Sequence, residues 1–339
     1  MVTIKDIAKM ANVSVATVSN ALNGKESVKP KTKEQILKLA KELNYVPNSI
    51  AQGLVKNSTK TINIVISGPS SFNLFSNPNF FQLVRSITIY LDKIGYYVLL
   101  SIIDMDEELQ KIPRIAQSRS SDALILLGSR RSNDELIAMI NRINIPTLVI
   151  DRGTFKEDIV TVSVDNQKCT YLATRHLLEM GHRRIGFLGE IPGYRLAEER
   201  LEGYRQALDE EGIPYDESIV IKGDYYQESG LVGIRQLLAH AVPRPTAVTI
   251  ANDLMALGAI EGIEQEGLRI PEDISIIGCD NIPNLHLLKV PLSTVSIPFS
   301  EIGRLAAKKA VGILEGNDQL PRQIMLTPEL RIRSSVNGI

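Results

Sequence analysis

Residues 3–24, TIKDIAKMANVSVATVSNALNG, decide how this chain begins. Ile4, Ile7, Ala8 and Ala11 recur at i, i+3, i+4 and i+7, one face of a helix. Thr3 stands before them as an N-cap, with Asp6 three residues later. The pattern predicts a helix of about two turns. Asn12-Val13-Ser14 then interrupts it. Ser14 can cap a second helix with an apolar stripe of Val15, Val18 and Leu22, which Asn23-Gly24 ends because both tolerate a positive φ. Two short helices across a tight turn make a helix-turn-helix. Further out, Pro30 opens a third helix whose Ile36, Leu37, Leu39, Ala40 and Leu43 close a miniature core over the other two.

In such units the first residues of the second helix enter the major groove, which nominates Val15, Ala16, Thr17, Ser19 and Asn20. An Asn pairs bidentately with adenine, and Val15 or Ala16 can meet a thymine methyl. The stretch from Met1 to Lys60 holds no Arg for the commonest guanine contact. Lys5, Lys29, Lys31 and Lys33 are placed for phosphates. The same stretch carries ten lysines and four acids, a net +6, which leaves −7 on everything after Lys60 in a chain whose net charge is −1. A basic head on an acidic body is the asymmetry of a nucleic-acid-binding module fused to a part with another task. The competing reading of so short a helix pair is an ordinary helical corner with a solvated lysine face.

Beyond Tyr45-Val46-Pro47, the segment 48–55 has a cap in Asn48 and only one or two turns, too short to be helical alone. Lys56 to Thr61 is polar, so 47–61 reads as a hinge. Leu54, a bare apolar residue beside a DNA-binding module, suits a wedge inserted between base steps in the minor groove.

From residue 61 onward, β-branched runs (62–66, 97–103, 123–127, 147–150, 161–164) alternate with amphipathic helices, and the alternation repeats from 170 to 278. This predicts two Rossmann-like lobes of about five parallel strands each, with the ligand in the cleft outside the strands' carboxyl ends. Asp151-Arg152, Asp165-Asn166, Asn252-Asp253 and Asp280-Asn281 follow strands there. Such groups suit a ligand rich in hydroxyls, while helix capping accounts equally well for Asp165 and Asp253. Tyr225 and Phe80 offer flat faces to a sugar ring.

A length of 339 residues, 44% of them hydrophobic and 23% charged, predicts a soluble globular protein of two or three domains. No apolar run reaches the roughly 18 residues of a membrane span. The N-terminus lacks the pattern of an export signal, so a cytoplasmic protein with no membrane partner is expected. Cys169 and Cys279 give neither a disulfide framework nor a zinc site, and are expected to be buried, inert thiols. G-x-S-x-G, G-x-x-x-x-G-K-[ST], G-x-G-x-x-G and H-E-x-x-H are all absent from the sequence, which argues against catalysis, a metal or a cofactor. His176 and His182, six apart across Gly181, are expected to be surface or cap residues. An exported solute-binding protein would share the two-lobed body but would need a signal and no basic head.

The stretch 3–24, followed by YVPNSIAQGLVKNSTKTINIVI at 45–66, resembles the lactose-repressor (LacI/GalR) family of bacterial transcription regulators, and the match runs along essentially the whole chain. The resemblance implies an all-α helix-turn-helix headpiece (1–46), a hinge helix and linker (47–61) and a periplasmic-binding-protein-like α/β core (62–339). The lobes of that core are expected at about 62–162 with 293–323, and 163–292 with 324–339. It implies that Val15, Ala16 and Asn20 read operator bases and that Leu54 levers the minor groove. Thr3, Lys5, Thr17, Ser19, Lys29, Lys31, Asn48, Ala51 and Gln52 complete the DNA-contacting set. It implies an effector pocket of Asn79, Phe80, Asp151, Arg200, Tyr225, Asn252 and Asp280. Three departures stand out: Asn20 where many members have Arg, Asn79 where an aromatic is common, and Ile297 in place of a polar pocket residue. The implied function is a homodimeric repressor of carbohydrate-utilisation genes, acting at the nucleoid and released from a pseudo-palindromic operator by a sugar. The alternative is corepression by a purine-like ligand or a phosphorylated carrier protein. With no leucine-heptad tail before Ile339, a dimer is the expected assembly.

Overall fold

The computed structural model describes residues 2–22, 27–45, 58–68, 78–128, 133–150, 159–192 and 194–339. The chain forms two compact units, Met1–Thr59 and Lys60–Ile339. In the first unit three helices, α1 (Ile4–Ala11), α2 (Val15–Leu22) and α3 (Pro30–Glu42), surround a small core that includes Ile7, Val18, Val28 and Ile36. The ends of these helices follow the chemistry of the sequence. Asp6 Oδ2 accepts from the Thr3 N–H at 2.8 Å and the Thr3 hydroxyl at 2.7 Å. Asn12, at φ 51°, ends α1 in the left-handed region. Ser14 Oγ accepts from the Thr17 N–H at 3.0 Å and starts α2. Pro30, which lacks an N–H, occupies the first turn of α3, where no acceptor is needed.

Among the described residues, the second unit contains two six-stranded sheets. The first comprises β1 (Thr61–Gly68), β2 (Tyr97–Asp104), β3 (Ala123–Leu127), β4 (Thr147–Ile150), β5 (Val160–Val164) and β11 (Gln323–Leu326), in the order β2-β1-β3-β4-β5-β11, all parallel. The second comprises β6 (Ile185–Glu190), β7 (Val220–Lys222), β8 (Ala247–Ile250), β9 (Ser275–Asp280), β10 (Ser293–Ser296) and β12 (Glu329–Arg331), in the order β7-β6-β8-β9-β10-β12. Only β12 runs antiparallel in it. Among the described residues each lobe thus has six strands rather than about five, because a late segment returns to each sheet.

The chain changes lobe a few residues later than the sequence pattern suggests. β5 pairs within the first sheet as far as Val164. Residues 293–296, expected in the first lobe, pair as β10 with β9 of the second, Ser293 opposite Ile277 and Ser296 opposite Asp280. Residues 324–326, expected in the second lobe, pair with 162–164 as part of β11. The second and third crossings therefore lie at Ile297-Pro298 and Thr327-Pro328. Proline lacks the N–H that would carry the ladder further. Lys60, read from sequence as linker, is anchored in this unit: its N–H donates to Asp122 Oδ2 at 2.9 Å and its ammonium to the Tyr96 hydroxyl at 3.0 Å.

Helix α4 (Pro78–Lys93) packs against α11 (Phe299–Glu315) beside the first sheet. Between them in the chain are α5 (Glu108–Gln117), α6 (Asn133–Ile140), α7 (Asn166–Glu179), α8 (Arg195–Glu210), α9 (Gln227–His240) and α10 (Asp253–Gln265). The pairs α7/α8 and α9/α10 cross where one helix has no side chain. A Cβ on Gly203 would lie 1.9 Å from the Gln167 carbonyl oxygen, and one on Gly258 1.9 Å from that of Gln227. Both cysteines are buried. His176 and His182 are buried as well, which corrects the surface or cap role expected of them. His182 Nδ1 lies 2.9 Å from Thr246 Oγ1 and Nε2 3.0 Å from the Asn337 carbonyl, tying the C-terminal segment to the start of β8. Among the described residues, no helix is long and apolar enough to cross a membrane.

Candidate functional site

The head presents the nominated residues on α2, but Val15, read as part of the apolar stripe, is exposed and Ala21 joins Val18 in the core instead. Val18 and Ala21 face the core, Val15 and Ala16 are exposed, and Thr17, Ser19 and Asn20 are half-buried on the flank. The Thr17 hydroxyl lies 2.8 Å from that of Ser14, so it helps to hold the helix start as well as facing outward. Thr3, Lys5, Lys29 and Lys31 are exposed, and Lys33 is half-buried. Asn48, Ala51, Gln52 and Leu54 lie outside the described residues.

In the second unit the polar strand ends meet around one buried ion pair. Arg200, on α8, and Asp280, the last residue of β9, are 3% and 6% exposed, and Arg200 Nη2 donates to Asp280 Oδ1 at 3.1 Å. Arg200 Nη1 donates to the Ala251 carbonyl at the end of β8. Burial works against the guanidinium charge, and the Asp280 carboxylate overrides it, so Arg200 is held well above its ordinary pKa. The other carboxylate oxygen, Oδ2, accepts from Asn79 Nδ2 at 2.9 Å. Asn79 belongs to the first turn of α4, beside the first sheet, so this bond spans the two lobes. Phe80, next in the chain, is half-buried against the core.

Tyr225 closes one side of the pair. The Arg200 Cζ lies 5.6 Å from its ring centroid, and Tyr194 meets it edge-on at 6.1 Å. Tyr225 adopts φ 71°, and its carbonyl accepts from Asn252 Nδ2 at 3.0 Å. Asn252 Oδ1 in turn accepts from the Met255 N–H at 2.9 Å and caps α10. Among the described residues, the buried Arg200 Nε and Tyr225 Oη find no hydrogen-bond partner. Groups of this kind are rarely left unsatisfied in native proteins, so a donor and a hydroxyl in this state are chemically suited to ligand atoms.

Arg200, Asp280, Asn79, Tyr225 and Asn252 are thus brought together, while Asp151 lies outside the described residues. Sequence reasoning offered Asp253 as a strand-end ligand group or a helix cap and missed its structural role. It is not the cap of α10; Asn252 is. Asp253 is fully buried, its Oδ1 accepting from the Thr294 hydroxyl at 2.7 Å and its Oδ2 from the Ile282 N–H at 3.0 Å. Burial, reinforced by neighbouring Asp280, pushes its carboxyl well above the usual range. These bonds pin the turn in which Asp280 has φ 115° and Asn281 φ 57°, a strained geometry that needs such support. The available signal was the adjacency of Asn252 and Asp253, since only one residue of such a pair can be the cap. Asp165 is a cap as that reading allows, accepting from the Lys168 N–H at 2.8 Å.

Comparison with known proteins accounts for both units. Residues 3–48 match the family described as bacterial regulatory proteins, lacI family, and residues 174–336 match a periplasmic binding protein-like domain. The chain is 32% identical to the ribose operon repressor of Haemophilus influenzae and 33% identical to the HTH-type transcriptional repressor PurR of Vibrio atlanticus, in each case over the full length of both proteins. Its structure is similar to that of a lac repressor dimer bound to operator and an anti-inducer, with a TM-score of 0.87 and 27% identity over 99% of each chain.

Proposed function

The chain belongs to the LacI family of bacterial DNA-binding transcription regulators, and from this premise we propose that it is a homodimeric repressor, without catalytic activity, whose operator affinity is set by a small carbohydrate held between its lobes. One observation carries the effector reading: a buried pair between Arg200 and Asp280, at the carboxyl end of β9, flanked by Tyr225 and Asn252, beside which Arg200 Nε and Tyr225 Oη have no partner among the described residues. A hydroxyl or ring oxygen can accept from the guanidinium, and the phenol can donate or accept. A sugar supplies many such groups on a compact frame.

The α2 face from Val15 to Asn20 reads one half-site, and exposed Lys5, Lys29 and Lys31 neutralise phosphates. Residues 1–46 form the head, 47–59 the hinge and 60–339 the core. Leu54 enters the minor groove where two hinges meet, and closure or opening of the lobes changes hinge spacing and hence operator affinity. The protein acts in the cytoplasm, where its DNA is. A second copy docks on the β2 side of the first sheet. β2 is an edge strand, and its Tyr97 and Ile102 are 62% and 54% exposed, a long apolar edge that a chain in water is expected to cover. The two-fold symmetry of a dimer then matches a palindromic operator.

A thermal-shift screen of purified protein against pentoses, hexoses, phosphorylated sugars and nucleobases tests the effector reading. Saturation at 100 times Kd adds about 2.7 kcal/mol. A sugar that stabilises the protein and loosens operator DNA is the expected result. A nucleobase that tightens operator binding would replace this reading with corepression.

A further inference from the structure

We infer that Asn79 is a latch between the lobes, its carboxamide occupying the Asp280 oxygen that an entering ligand must take, so that this residue helps to set how readily the cleft accepts an effector. The inference rests on reading the cleft as the effector site only for its consequence; the latch itself rests on geometry. The carboxylate of Asp280 reaches both lobes: Oδ1 accepts from Arg200 at 3.1 Å and Oδ2 from Asn79 at 2.9 Å. Asn79 is 3% exposed, lies far from Asp280 in the chain and packs beside the other sheet. A buried hydrogen bond to a carboxylate is stronger than one between neutral groups and is little screened by solvent.

The residue type matters. An amide donates to Asp280 without bringing charge, so it leaves the Arg200 pair intact and can be exchanged for a ligand hydroxyl of the same donor character. A lysine would form a second ion pair that no neutral ligand could displace, and a phenylalanine could not donate to Oδ2 at all. Asn79 sits between these extremes. The bond also lies where inter-lobe motion must act, because the turn that carries Asp280 is pinned by Asp253 and is tied to the crossing at Pro298 through the Ile297 N–H, which donates to the Asp280 carbonyl at 3.4 Å.

Hydrogen exchange on the full-length, ligand-free protein tests the latch independently of any effector, so its failure is distinct from failure of the sugar reading. Asn79→Ala should speed amide exchange about tenfold or more both in α4 (residues 83–87) and in the 280–283 turn, while the central strand β3 keeps its rate. Asn79→Asp, which sets a carboxylate against Asp280, should do so more strongly. Asp280→Ala should reciprocate by loosening α4. Phe81→Ala, an exposed change in the same turn of α4, should leave both segments unaltered. Exchange in Asn79→Ala that rises only in α4, or a Phe81→Ala effect as large, would overturn the latch.

Discussion

Replacing Arg200 with alanine removes the guanidinium that pairs with Asp280, and the structure sets the size of the effect. At 3.1 Å, with an effective dielectric near 20, the pair's attraction is about 5 kcal/mol. The substitution also strips the Ala251 carbonyl of its guanidinium donor, a loss of about 1–3 kcal/mol for a buried acceptor. Against this, Asn79 still donates to the carboxylate, and the core no longer has to desolvate a guanidinium. The net expectation is a loss of about 3–5 kcal/mol, the usual cost of removing one partner of a buried pair. For a core of this size that lowers Tm by roughly 6–20 °C. The deficit should shrink on acidification. Protonation relieves a buried carboxylate that has lost its counter-ion, so part of the deficit is recovered as pH falls. Scanning calorimetry at several pH values reads both effects. A Tm within about 2 °C of wild type at pH 7, or a deficit that does not change with pH, would refute the claim that the site is built around this ion pair. Operator affinity of the variant should stay near normal while its response to effector is abolished.

Four other outcomes are expected. His182 and His176 are buried with pKa values lowered chiefly by burial, so both are neutral in the native state; stability should be complete above about pH 6.5 and decline as pH falls through that value, and His182→Gln should flatten the slope measured by urea titration. Gly258→Ala should lower Tm more than Gly262→Ala, because the new Cβ meets the Gln227 carbonyl oxygen at 1.9 Å in the first case and the side-chain methyl of Ile234 at 2.5 Å in the second; a reversed order would contradict the helix crossing. Asn20→Ala should cost about 1–3 kcal/mol on the matched operator and relax preference at one base pair, and an unchanged preference in competition binding removes Asn20 from the readout. Leu54→Ala should weaken specific binding far more than binding to random DNA, since a wedge is useful only at a step that can be kinked; equal losses on both would end that role.

What was legible in the sequence was local. Thr3, Asn12, Ser14 and Pro30 act at short range, so their order alone placed three helices and a turn. The βα alternation likewise revealed two sheets, parallel except for β12, because its period is set by residues within one element. What failed was long-range. Whether 293–296 pairs with β9 or crosses to the other sheet is decided by Ile277 to Asp280, which belong to a different element, and the return of β11 is decided by β5, laid down in the first half of the chain. The site behaved in the same way. The strand ends nominated Asp280, Asn252 and Tyr225, and family resemblance added Arg200, but the role of Asp253 depends on Thr294 and Ile282, which no spacing rule connects to it. Asn79 stood out only as a departure from the family pattern. Its bond to Asp280 gives that departure a physical meaning.

The most direct test of the central claim is an anisotropy titration of full-length protein on an operator selected from random DNA, with and without the carbohydrate that gives the largest thermal shift. The account predicts selection of an inverted repeat, nanomolar binding in low salt, and a tenfold or greater loss of affinity with the sugar in wild type but not in Arg200→Ala. Binding that selects no symmetric site, or a sugar effect that persists undiminished in Arg200→Ala, would contradict it.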